Sequence, residues 1–176
     1  KVTSIKSMVS HLELKNKRWH MRLTTGEELH ASSVILANGA SPLCLPLTPS
    51  IETLPLEVAL APSKLKESLD PNETIAVFGS SHSAILVLKN LIDLNAKKVI
   101  NFYLSPCQYA LNLGDWTLFD NTGLKGSAAH WAKENIDGTL PPNLIRVLSH
   151  EKNLSEHLKN CHKVISATGF HPNQTL

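Results

Sequence analysis

The stretch Trp19-His20-Met21-Arg22-Leu23-Thr24 alternates apolar and polar side chains, and a turn composition follows at Thr25, Gly26, Glu27 and Glu28. Leu29, His30 and Ala31 then lead into Ser33-Val34-Ile35-Leu36-Ala37. A period of two interrupted by a glycine turn predicts a β-meander across residues 1–38. The run from Val34 to Ala37 is apolar without alternation, as in a strand covered on both faces, and it ends at Asn38-Gly39.

Pro42, Pro46, Pro49, Pro55, Pro62 and Pro71 crowd the next segment. Proline fixes φ and removes an N–H donor, so residues 43–72 read as a linker rather than sheet. A short helix is expected inside it, with Ser63 as N-cap and Glu67 in its second turn.

From residue 73 the pattern becomes strand, helix, strand. Ile75 to Phe78 is a buried strand, and residues 82–94 form a helix whose Ile85, Leu86, Leu88, Leu91 and Ile92 make a wide apolar face. Asn95 stops the helix, residues 99–104 form the next strand, and Pro106 ends it. A parallel crossover is the expected geometry. Residues 106–123 are irregular, with Tyr109, Trp116 and Phe119 read as core or interface packing. A helix over 127–136 packs through Ala128, Ala129, Trp131 and Ala132. Further elements are a strand at 144–148, one helical turn at 154–158, and a buried strand from Val164 to Ala167 that runs into Thr168-Gly169. The fold class is therefore α/β: a parallel sheet with helices, preceded by an antiparallel meander.

Composition narrows the function classes. The chain has 176 residues, a net charge of +2 and no run of five or six like charges, which gives no case for nucleic acid or a membrane surface. No apolar run reaches the ~18 residues of a membrane span. The first residues, Lys1-Val2-Thr3-Ser4-Ile5, contain no signal-peptide core. Cys44, Cys107 and Cys161 are far apart with no C-x-x-C, so a cytoplasmic setting is expected and the cysteines are small apolar fillers. His150, His157, Cys161 and His162 cluster along the chain, but at no zinc-ligand spacing, and no metal site is assigned.

The candidate chemistry lies in Gly79-Ser80-Ser81-His82-Ser83-Ala84, between the strand and the helix. A sharp strand-to-helix turn leaves N–H groups free at a helix N-terminus, and these with the helix dipole attract an anion. Gly79, Ser81 and Ala84 stand where the dinucleotide fingerprint G-x-G-x-x-G/A places its three small residues. Ser81 replaces the second glycine; Ser80, Ser81 and Ser83 offer hydroxyl donors, and Ser81 or its neighbour also caps the helix. His82 faces a phosphate or solvent. The strand that follows ends in Phe102-Tyr103-Leu104-Ser105, without the acid that would hold a ribose 2′-hydroxyl or an arginine for a 2′-phosphate. The same turn also approximates the G-x-S-x-G elbow of α/β-hydrolases, with Ser81 as nucleophile and Asp120 or Asp137 with His150 or His171 as partners. Its fifth position is serine, and no oxyanion loop precedes it.

Three motifs together resemble the two-dinucleotide-binding flavoproteins, which include the pyridine nucleotide-disulfide oxidoreductases and the N-hydroxylating flavin monooxygenases. Gly79 to Ala84 is similar to the G-x-G-x-S-A turn of their nicotinamide domain. Val34-Ile35-Leu36-Ala37-Asn38-Gly39-Ala40-Ser41-Pro42 resembles their A-T-G-x-x-P motif, with Asn38 in place of threonine, and Val164 to Asn173 matches the second A-T-G motif through Ala167, Thr168 and Gly169. The resemblance implies that residues 1–42 end the first half of an FAD domain and that 73–176 form a Rossmann-like NAD(P)-binding domain. NAD(P)H would contact Gly79 to Ala84, Ser105, Ala167, Thr168 and Gly169. No residue is assigned to catalysis, because hydride transfer belongs to the nicotinamide and the flavin.

The family's N-terminal flavin-binding G-x-G-x-x-G is absent. The expectation is therefore a fragment of an FAD-dependent oxidoreductase or monooxygenase, inactive alone, whose partner is the FAD-domain portion of the same polypeptide. A degenerate dinucleotide fold kept as a scaffold or interaction module is the other reading. Apolar surface left where the flavin half docks would also permit a homo-oligomer.

Overall fold

The structure is a computed structural model and describes residues 2–45, 51–118, 123–149 and 154–173. Phe119, Asp120 and His150 lie outside the described residues. The chain divides into two compact units, residues 1–41 with 171–176, and residues 42–170.

The first unit is the meander: Val9–Lys15 (β1), Arg18–Leu23 (β2) and Glu28–Ala31 (β3) in the order β1-β2-β3. Both pairings are antiparallel, with Leu14 opposite Trp19 and Met21 opposite Leu29. Asn16 and Lys17 take φ of 49° and 64°, as a tight hairpin turn with the twist of its strands requires.

The apolar run after β3 departs from expectation. Val34 to Ala37 forms no strand, and Ile35 is 92% exposed. An apolar run becomes a buried strand only when strands flank it on both sides, and residues 33–37 pair with none of the described residues. Regular structure resumes at Ala40–Pro42 (β4), which pairs with Phe170–Pro172 (β10) where the chain leaves and re-enters this unit. Here Asn38 and Asn173 clasp each other: the Asn173 amide donates to the Asn38 carbonyl at 2.8 Å, and the Asn38 amide donates back to the Asn173 carbonyl.

The second unit is a five-stranded parallel sheet. Its strands are Glu52–Thr53 (β5), Thr74–Phe78 (β6), Lys98–Tyr103 (β7), Leu144–Leu148 (β8) and Lys163–Ser166 (β9), in the order β5-β9-β6-β7-β8. Both faces are covered, as an all-parallel sheet requires. On one face Ile75, Val77, Val99, Leu144 and Ile165 pack on Leu56–Ala59 (α1), Pro62–Ser68 (α2), His82–Asp93 (α3) and Gly126–Asn135 (α4). On the other, Ala76, Phe78, Ile100, Phe102 and Val164 meet Leu45, Ile51 and the Leu154–Leu158 helix (α5).

The segment read as a linker contributes to this unit. Residues 51–68 supply β5, α1 and α2, and Leu54, Leu56, Ala59 and Leu65 join the core. Pro62 occupies the first position of α2, where its missing N–H is harmless, so Ala61 rather than Ser63 precedes the helix. Lys163 is 8% exposed at the amino edge of the sheet, and its ammonium bonds Glu73 and the Ser68 carbonyl, each at 2.8 Å.

Candidate functional site

Strand β6 runs into α3 through Gly79, Ser80 and Ser81. Gly79 has φ +123°, and a Cβ placed there would lie 2.3 Å from the Ala167 carbonyl oxygen. Only glycine permits the end of β6 to approach the end of β9 this closely. Ala84 is fully buried beside it and allows α3 to sit against the sheet. Ser81 is the N-cap of α3, but its hydroxyl makes no cap hydrogen bond. Capping by the Ser81 side chain is thus corrected: the first turn closes through Ile85 N–H to the Ser81 carbonyl at 3.0 Å. The N–H groups of Ser81, His82 and Ser83 meet no acceptor among the described residues, the state that favours an anion at a helix N-terminus.

Two adjoining cavities open at this turn, on the carboxyl edge of the sheet. The first, of 360 Å³, is bounded by Gly79, Ser80, Ser81, Ser105, Ala167 and Thr168 on its polar side and by Leu45, Phe78, Phe102 and Leu104 on its apolar side. The second, of 330 Å³, runs along Ser80 to Ser83, Ser105, Gln108 and Gly123. Ser80, Ser81 and Ser105 border both. The expected residues are therefore brought together, apart from Ala84 in the floor and Gly169, whose carbonyl accepts the Leu43 N–H at 2.9 Å. His82 is exposed and lines the second cavity. Among the described residues, no side chain bordering either cavity carries a fixed charge, and the helix N-terminus contributes a positive end there.

The strand order explains the position. The chain proceeds from β6 outward to β7 and β8, then returns to place β9 on the other side of β6. The crevice between β6 and β9 is thus the switch point of the sheet, where ligands of open α/β folds bind. Sequence reasoning missed the apolar wall, because Phe78 and Phe102 read as strand residues and Leu45 lay in the segment read as a linker. It also missed Asn101, fully buried in β7, although a lone amide inside Val99–Phe102 was a visible signal.

The other candidates find structural partners. Asp137 accepts the Tyr109 hydroxyl at 2.6 Å, and no histidine bonds Ser81 among the described residues, so the hydrolase arrangement is not assembled among them. The His162 ring accepts the Thr74 N–H at 3.1 Å, and the Cys161 thiol donates to the His157 carbonyl at 3.4 Å. Burial pushes the Cys161 thiol up to about 11. Burial also raises Cys107, partly offset by the Arg146 guanidinium. Trp131 is core as expected, whereas Trp116 is exposed.

Fold and motif order together define the class: the chain has the FAD/NAD(P)-binding, Rossmann-like fold of the two-dinucleotide-binding flavoproteins. The chain is 34% identical over 190 residues to the monooxygenase AgnR1 of Paecilomyces divaricatus, an alignment covering 93% of this chain and 48% of that protein. The chain thus spans about half the length of the curated relative it matches. Among solved structures it superposes on L-lysine 6-monooxygenase from Pseudomonas syringae with a TM-score of 0.59, at 13% identity, over 95% of this chain and 53% of that one. It also superposes on a NAD-dependent persulfide reductase from A. fulgidus with a TM-score of 0.57, at 14% identity, over 96% and 32% of the two chains. At such identities these likenesses are of fold. No family model matches the chain.

Proposed function

We propose that the second unit is the NAD(P)H-binding region of an FAD-dependent monooxygenase or oxidoreductase. The observation that carries this reading is the crevice at the switch point, with unpaired N–H groups at the start of α3 on one side and an apolar wall on the other. A dinucleotide needs both: donors for its diphosphate and an apolar slot for a ring. Ser80 to Ser83 hold the diphosphate, Ser105 just past β7 meets a ribose, and Ala167 and Thr168 border the other nucleoside. When bound, the nicotinamide supplies the hydride; this chain's residues only bind, orient and exclude water. The identity to a monooxygenase supports that assignment of class.

The flavin-binding portion of the whole protein seats against the first unit, where Val2, Met8, Ile35 and Leu36 are exposed. Three unpaired cysteines fit a reducing, cytoplasmic location.

Calorimetric titration of the chain with NADH, NADPH and FAD tests the reading. Saturable binding of a nicotinamide dinucleotide is expected. No binding by any of the three would favour the scaffold reading instead.

A further inference from the structure

Asn101 occupies the middle of β7 and is 0% exposed. A buried amide is tolerated only when its donors and acceptor are matched, so the identity of its partners shows what it is for. The ladder between β6 and β7 ends at the pair Phe78 and Phe102. One residue further, the Gly79 N–H still reaches the Phe102 carbonyl at 2.9 Å. The Gly79 carbonyl lies past the ladder, and the Asn101 amide donates to it at 2.8 Å and to the Val77 carbonyl at 3.1 Å. Arg146 Nε donates to Asn101 Oδ1 at 3.0 Å, which fixes which end of the amide faces Gly79. Arg146 is itself held over the Tyr103 ring, 4.0 Å from its centroid.

A trans peptide sets a carbonyl and the following N–H on opposite sides of the chain. Holding the Gly79 carbonyl toward β7 therefore turns the Ser80 N–H the other way, toward the crevice that Ser80 borders. Gly79 has no side chain to restrain its torsions, so this peptide plane depends on an outside partner. We propose that Asn101 is the positioning residue of the anion turn: it holds the Gly79–Ser80 peptide so that the Ser80 N–H donates to a bound diphosphate, with Arg146 fixing its orientation. This rests on the reading that the crevice takes a dinucleotide.

The test titrates the full chain with ADP-ribose, which carries the diphosphate, and with adenosine, which does not, following backbone amides by NMR and the thermal midpoint separately. Asn101→Asp keeps the size and the Arg146 contact but removes the donor to Gly79. It should weaken ADP-ribose about tenfold, with adenosine changed less than about twofold. Arg146→Met, which frees the amide to flip, should give a smaller loss with the same selectivity and serves if the first variant does not fold. Equal losses for both ligands, or unchanged ADP-ribose affinity, overturn the assignment while leaving dinucleotide binding intact. A wild-type chain that does not bind ADP-ribose overturns the functional reading and this assignment with it.

Discussion

At the scale of single residues, Gly79 and Ser81 divide the work of the turn. A methyl at Gly79 meets the Ala167 carbonyl at 2.3 Å and forces a side chain into φ +123°. Gly79→Ala should therefore lower stability by about 3 kcal/mol or more, read as a drop in the denaturant midpoint. That makes it a poor probe of binding alone, because the loss of fold removes the site. Ser81→Asp is the cleaner probe. Aspartate is a good N-cap where serine now makes no cap bond, so stability should stay level or rise by up to about 1 kcal/mol. Its carboxylate would face the diphosphate of the proposed ligand, and nucleotide affinity should fall by at least about tenfold. The cysteines offer a check on burial. Cys44 is exposed, whereas Cys161 is buried, with its thiol raised to about 11. Maleimide at neutral pH should label Cys44 first and spare Cys161 until the chain unfolds. A raised thiol favours the folded state while it stays protonated. The contribution of Cys161 is thus fully present below its ordinary value of 9.0 and is lost as pH rises toward about 11. The thermal midpoint of the wild type, compared with Cys161→Ala, should show that extra loss across this window. Asn101 was legible as an amide inside an apolar strand, but its partners were not, because the Gly79 carbonyl is set by tertiary geometry.

At the scale of elements, the outcome followed how completely each segment carries its own instructions. Strand β8 has the bounds read from the sequence, Leu144–Leu148, and α3 ends where Asn95 takes φ +57° as a helix stop. Strand β5 was invisible for a physical reason: Glu52–Thr53 is two polar residues among prolines, recruited only because Lys163 and Val164 present an open edge. Val34 to Ala37 failed in the opposite direction, since composition specifies burial but cannot supply neighbours. The Lys163 and Glu73 pair ties β9 to the start of β6 in a largely buried setting. Glu73→Ala leaves the ammonium with the Ser68 carbonyl and only the more distant Glu52 carboxylate, 3.9 Å away, and should cost about 3 kcal/mol. Lys163→Met removes the more deeply buried of the two charges, and Glu73, whose side chain is 20% exposed, can turn to water, so the cost should be smaller, about 2 kcal/mol, in the same chemical unfolding measurement.

At the scale of the whole molecule, the two units differ in how much core they own. The parallel-sheet unit holds both apolar clusters, whereas Leu23 is the buried apolar residue described in the meander unit. The α/β class and the order of the three motifs were readable because glycine turns and apolar strands are local signals. The crevice was readable only as a turn, since its apolar wall comes from β6, β7 and the segment at Leu45, far apart in the chain. By itself the chain should bind NAD(P)H without oxidising it, and a steady absorbance at 340 nm would show this. The most direct test of the central claim is an NMR titration of the labelled chain with ADP-ribose, read amide by amide. The account predicts saturable shifts largest at Ser80, Ser81, His82 and Ser83, with smaller ones at Ser105 and Thr168. Shifts confined to other surfaces, or none at millimolar ligand, would contradict it.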